Sequence, residues 1–82
     1  MEVIKVANKH SSKYKLISKS IVEFRKEQGL TQKQLAEKLG VSVSYLSKIE
    51  APNTEKSFSL ELLFDIAEAL EISIHDLLKY LR

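Results

Sequence analysis

Residues 32–51 read QKQLAEKLGVSVSYLSKIEA, and this stretch decides the fold. Two short helices cross at about 90–120° over a three- or four-residue turn only under tight steric conditions. A small residue must sit where the helices touch, and Ala36 stands there. A glycine must let the chain reverse, and Gly40 stands there. Apolar side chains must fill the inner face, and Leu35, Leu39, Val41, Leu46 and Ile49 fall in the required order. Helical hairpins of other kinds use the same residues singly; the full set across twenty positions points to a helix-turn-helix. Thr31 followed by Gln34 reads as a capping box that opens the first of the two helices. Ser42 can cap the second, which carries Val43, Tyr45, Leu46 and Ile49. That helix should stop at Ala51-Pro52, because proline disfavours helical geometry in the residue before it.

Outward from this core, helical periodicity continues. The spacing predicts a helix over 13–28, with Ile17, Ile21 and Phe24 on one stripe, Ser11 or Ser12 as cap and Gly29 as terminator. Residues 53–57 read as a polar loop. Ser57 or Ser59 then opens a fourth helix with Leu63, Ile66, Ala67 and Leu70 at helical spacing. Ser73 and Asp76 form a second capping box before Leu77, Leu78 and Leu81. The expected architecture is all-α, with five short helices in residues 13–82. Residues 1–12 form an N-terminal extension, in which Val3 and Val6 allow a short strand but a mobile arm is expected.

Composition narrows the function. Eighty-two residues, 44% of them hydrophobic, make one domain with a real core. The absence of cysteine removes disulfides and thiolate metal sites. No apolar run approaches the roughly 18 residues that span a bilayer, and the first residues lack the features of a secretory signal. A cytoplasmic protein with no membrane association is expected. The net charge of +2 is unevenly placed. Residues 1–48 hold ten Lys/Arg against four Glu, or +6, whereas residues 49–82 hold three against seven acidic residues, or −4. Such a split gives one face to a polyanion and another that avoids it; it is also what solvated helices can show by themselves.

Catalysis finds no support. His10 and His75 are isolated from other ligands at metal spacing, so no metal site is expected. There is no nucleophile paired with a base, no phosphate-binding glycine loop and no dinucleotide fingerprint. No cofactor is implied.

The runs IVEFRKEQGLTQKQLAEKLGVSVSYLSKIE (21–50) and SLELLFDIAEALEISIHDLL (59–78) resemble the phage-repressor-like (Cro and Xre) helix-turn-helix regulators. The resemblance covers about residues 15–81. It implies a five-helix lambda-repressor-like DNA-binding domain with the helix-turn-helix at helices 2–3, and a transcriptional regulator that binds double-stranded DNA. The third helix, about 42–50, would lie in the major groove. Residue by residue, the family's phosphate-binding glutamine corresponds to Gln32, with Lys33 beside it. Its base-reading positions correspond to Ser42, Val43, Ser44, Ser47 and Lys48. Lys48 suits guanine O6/N7, Ser44 several base edges and Val43 a thymine methyl. Ser42 also fits a pure helix cap, and Lys48 a phosphate contact. Arg25 and Glu50 match a structural salt bridge between helices one and three, and Tyr45 a half-buried packing residue.

Two departures stand out. The loop APNTEKSF (51–58) is about two residues longer than the usual form and lacks its common glycine; the resemblance assigns Asn53, Thr54 and Lys56 to the sugar-phosphate backbone. The N-terminal segment is also extended, and Lys5, Lys9, Lys13, Lys15 and Lys19 suit either a backbone-following arm or a solvated tail. Leu62, Phe64, Leu78, Tyr80 and Leu81 exceed the needs of one core. They fit a homodimer, with half-sites about 10 bp apart on a pseudo-palindrome. They equally fit the alternative class, a protein-interaction module such as an antitoxin that grips a protein partner.

Overall fold

A computed structural model describes residues 9–53 and 57–81. Expectations for residues 1–8 and for Thr54 and Lys56 therefore lie outside the described residues. The elements are α1 (Ser11–Glu27), α2 (Gln32–Leu39), α3 (Val43–Glu50), α4 (Leu60–Leu70) and α5 (Ile74–Leu77), with no strand among the described residues. The expected all-α architecture of five helices holds.

Three of the expected caps form as read. Thr31 Oγ1 accepts from the Gln34 amide at 3.0 Å while Gln34 Oε1 accepts from the Thr31 amide at 2.8 Å. Ser42 caps α3 through the Tyr45 amide, and Ser73 with Asp76 closes the last box. Of the two candidates for α4, Ser59 is the cap. The first helix differs. It begins at Ser11, inside the segment assigned to the extension, with His10 as N-cap and no side-chain cap bond. Packing decides this start: Tyr14, in the first turn, meets Phe58 edge-on at 5.1 Å between ring centres. Tertiary burial thus overrides the local preference of Ser11 and Ser12 for capping.

Three helices end by the same device. Gly29 (φ 72°) and Gly40 (φ 73°) adopt the left-handed conformation, and the next amide bonds back to Arg25 O or Ala36 O. After α4 the same position is held by Glu71 at φ 58°, with the Ile72 amide on Ala67 O. A side chain there is strained, whereas glycine is not.

The core comprises Ile21, Leu35, Leu46, Ile49, Ile66, Leu70 and Leu77, all essentially without solvent contact, with Ala36 buried on α2. At its edge Arg25, on α1, joins the turn after α1 and the end of α3. Its Nε and Nη2 donate to both carboxylate oxygens of Glu50 at 2.8 and 2.9 Å, and its Nη1 donates to Leu30 O at 2.8 Å. Gln32 Nε2 adds a bond to Glu50 Oε1 at 2.9 Å. Ser18 Oγ donates to Ile49 O at 2.6 Å, so the end of α3 is anchored to α1 twice.

The last helix is shorter than the reading through Leu81 implied; it stops at Leu77. Beyond it the chain continues in tight turns, with the Lys79 amide on Asp76 O at 3.3 Å and the Leu81 amide on Leu78 O at 2.9 Å, and side chains tie it to α1. Tyr80 Oη donates to Glu23 Oε1 at 2.6 Å, Lys79 pairs with the same carboxylate at 3.3 Å, and Lys79 Nζ stands 4.6 Å from the Phe24 ring centre. Lys19 Nζ lies 4.5 Å from the Tyr80 ring centre. The Tyr80 bond is the main reason that the Glu23 carboxyl is held below its ordinary value, and Glu23 in turn raises the Tyr80 phenol.

Three outcomes follow from these contacts. Glu50→Ala leaves the buried Arg25 without its carboxylate and should cost about 3–5 kcal/mol in urea unfolding, while Arg25→Met combined with Glu50→Met should lose less. In the same assay Gly40→Ala should lose about 1–2 kcal/mol and Glu71→Gly should gain about 1 kcal/mol, because only backbone strain changes sign. The Glu23–Tyr80 contact is complete between the two titrations. It weakens as pH falls through a Glu23 value below 4.5, and again as pH rises through a Tyr80 value above 10.0. A side-chain carboxyl NMR titration of Glu23 should show a midpoint that rises toward 4.5 in Tyr80→Phe.

Candidate nucleic-acid interface

The two faces of α3 have separate duties. Leu46, Ile49 and Glu50 are buried, and Val43, Ser44, Ser47 and Lys48 are exposed. These four exposed positions fall within one stripe of a helix turning 100° per residue, with Ser42 just before it. Tyr45, expected to be half-buried, is 38% exposed and stands at the border of the stripe. Val43 is 42% exposed, an apolar side chain that the core does not use. The outward surface of α3 is thus short hydroxyls, one branched apolar group and one cation, all free of the fold except the Ser42 cap.

The start of α2 lies beside the end of α3, because Gln32 bonds Glu50. The capping box takes up the Thr31 and Gln34 amides. That leaves the Gln32 and Lys33 amides with no acceptor among the described residues, at the positive end of the helix dipole. Such an end accepts an anion such as a phosphate. Lys33 is exposed, whereas the Gln32 side chain is half-buried and already donates one hydrogen to Glu50. Gln32 therefore has one amide hydrogen and its backbone N–H to offer.

A cleft of about 690 Å³ borders this region, with Lys15, Lys19, Lys26, Gln32, Ser47 and Pro52 in its walls. The three lysines lie along one side of α1 over about 16 Å, Lys19 one turn after Lys15 and Lys26 two turns after Lys19. Lys15 and Lys19 were singled out in the sequence, and Lys26 was not. Its spacing of i+7 from Lys19, opposite the Ile17–Ile21 stripe, was the signal that would have found it. Lys13 lies elsewhere, along a groove with Tyr14, Phe58 and Leu60. Asn53 is exposed directly after Pro52, and Lys56 is outside the described residues. His10, the residue before α1, and His75, on α5, are both exposed and lie on separate elements. Among the described residues no three metal-ligating side chains gather, and no helix is long and apolar enough to cross a membrane.

Comparison with known proteins places this geometry. Residues 21–77 match the family model described as helix-turn-helix. The chain is 41% identical over 63 residues to the HTH-type transcriptional regulator SinR of Bacillus subtilis (strain 168), covering 77% of this chain and 56% of SinR. It thus spans little more than half of that relative's length. Among solved structures, the clp gene regulator ClgR from C. glutamicum superposes with a TM-score of 0.74 at 35% identity, over 80% of this chain and 83% of ClgR. The restriction-modification controller protein C.AhdI from Aeromonas hydrophila gives 0.72 at 27% identity, over 80% and 97%. The chain belongs to the Cro/Xre-type helix-turn-helix family, whose members are DNA-binding transcription regulators and not enzymes.

Proposed function

We propose that this chain is a sequence-specific regulator of transcription that reads duplex DNA with the outward face of α3. The observation that carries the reading is the division of α3, which spends Leu46, Ile49 and Glu50 on the core and leaves Val43, Ser44, Ser47 and Lys48 free. Lys48 donates to guanine, Ser42, Ser44 and Ser47 bond base edges, and Val43 packs on a thymine methyl. The Gln32 and Lys33 amides, with the Lys33 and Asn53 side chains, hold phosphates that fix the register. Lys56 joins them from outside the described residues. Arg25 and Glu50 orient α3 and touch no DNA. The binding domain begins with α1 at Ser11, two residues before the boundary expected from the sequence, and the residues before it form an extension.

The regulator acts as a homodimer on a pseudo-palindrome, presenting two α3 helices about 34 Å apart, or 10 bp. Its place of action is the cytoplasm, where its DNA lies. Control over genes of the kind named for ClgR or C.AhdI, or partnership in an antitoxin-like complex, would use the same domain.

Selection from a random duplex library should return a two-fold symmetric site. On that site Lys48→Ala should relax one base position at a cost of about 1–3 kcal/mol. Lys33→Ala should instead weaken all sequences alike and reduce the salt slope by about one unit. Failure to enrich any sequence, with binding indifferent to salt, would overturn the proposal in favour of a protein-gripping module.

A further inference from the structure

The lysines of α1 fall into two groups, and only one of them shares a surface with α2 and α3. Lys15, Lys19 and Lys26 lie within about 40° of one another around a helix that turns 100° per residue. All three border the cleft of about 690 Å³ that Gln32 and Ser47 also line. Lys13 stands about 160° away from Lys15, in the separate groove with Tyr14, Phe58 and Leu60. On one flank of the three-lysine stripe Ser18 and Arg25 bind α3, and on the other Glu23 binds Tyr80.

The fold makes no use of the stripe's charge. Among the described residues no carboxylate forms an ion pair with Lys15, Lys19 or Lys26. The two carboxylates in the cleft wall are already taken. Glu23 accepts from Tyr80 and pairs with Lys79, and Glu50 is held by Arg25 and Gln32. Lys19 stands over the Tyr80 ring, 4.5 Å from its centre, a contact that leaves its positive charge in place. Helix formation is not served either. Like charges at i and i+4, as at Lys15 and Lys19, oppose it, and α1 has no acidic residue in its first turn to offset them. Only Lys26, in the last turn, suits the helix dipole.

We infer that this stripe is a phosphate site, continuing the track that begins at the open Gln32 and Lys33 amides, so that the DNA strand held there runs on along α1. The inference rests on the reading of α3 as the DNA-binding helix and deepens it, adding Lys15, Lys19 and Lys26 to the backbone contacts. Continuity chooses the occupant, because Gln32 at the start of α2 lines the same cleft as the three lysines. So does chemistry. Ammonium groups on long stems carry charge without a fixed fork of donors, which suits phosphates rather than base edges. The stripe covers about 16 Å of α1, and one strand of a duplex places a phosphate every 3.4 Å or so along its axis, so more than one phosphate is within reach.

The test uses the full chain and a mixed-sequence DNA duplex, since phosphate contacts need no particular sequence. Affinity is measured by fluorescence anisotropy at several KCl concentrations, and circular dichroism checks that each variant folds. Lys26→Gln should lower the slope of log K against log salt by about 0.9, and Lys15→Gln combined with Lys19→Gln by about twice that. Lys26→Arg keeps the cation and should keep the slope. Lys13→Gln removes the same formal charge from the other side of α1 and should leave the slope unchanged. A slope unmoved by the three glutamine substitutions in the stripe would overturn the inference. So would an equal loss in Lys13→Gln, which would mean attraction to net charge alone. Binding of poly-glutamate that Lys26→Gln abolishes while duplex binding is kept would also overturn it, assigning the stripe to an acidic protein segment. Lys33→Gln and Lys48→Ala separate the inference from the reading beneath it. A loss confined to those two variants would overturn the α1 site and leave the α3 reading intact. A loss confined to the α1 variants would overturn the α3 reading and leave α1 as a site for DNA.

Discussion

The guanidinium of Arg25 is the junction on which the arrangement of the site depends. It grips both oxygens of Glu50, the last residue of α3, and the carbonyl of Leu30 in the turn between α1 and α2. Glu50 in turn receives Gln32, the first helical residue of α2. Apolar packing alone fixes these helices loosely, because Leu and Ile side chains tolerate small rotations at little loss. A two-point carboxylate–guanidinium contact does not, since both bonds lengthen together when α3 turns. Replacing such a buried pair by apolar residues is often neutral for stability. Its value here lies in angle: the outward stripe of α3 has one orientation relative to α2.

That orientation places the exposed groups together. Ser42 holds one end of α3 through its cap, and the bonds to Glu50 and Ile49 O hold the other. With both ends fixed, Ser44, Ser47 and Lys48 are displaced only by side-chain rotation. The open amides of Gln32 and Lys33 sit beside them for the same reason. The lysines of α1 reach this region through Ser47, which shares their cleft, so the cationic surface runs from α1 to the edge of α3.

Much of this was legible in the sequence because it is local. The capping boxes at Thr31–Gln34 and Ser73–Asp76, the glycine stops at Gly29 and Gly40, and the stop at Ala51-Pro52 each depend on neighbours within a few residues. What escaped depends on distant partners. Phe58 reads as loop, yet it is buried because Tyr14 stands across from it. The same contact moves the start of α1 to Ser11. The end of α5 escaped because Leu78 and Leu81 keep helical spacing, while Glu23 and Phe24, far away in the chain, capture Tyr80 and Lys79. The second role of Gln32 as a partner of Glu50 needed the fold, since nothing in the sequence signals a pairing across a separation of 18 positions.

The segregation of charge gains meaning from the same geometry. A net charge of +2 is too small to draw a protein of this size strongly to a polyanion. Its division into a basic stretch, residues 1–48, that contains α1, α2 and most of α3, and an acidic stretch dominated by α4 is a different matter. In the field of a duplex the basic half is attracted and the acidic half repelled, so the chain turns as it approaches. The torque acts over about a Debye length, some 8 Å at physiological salt, before any base is touched. Orientation at encounter removes many unproductive collisions, and on the proposed reading it brings α3 rather than α4 to the duplex. On that reading, the carboxylates of α4 keep its face off DNA.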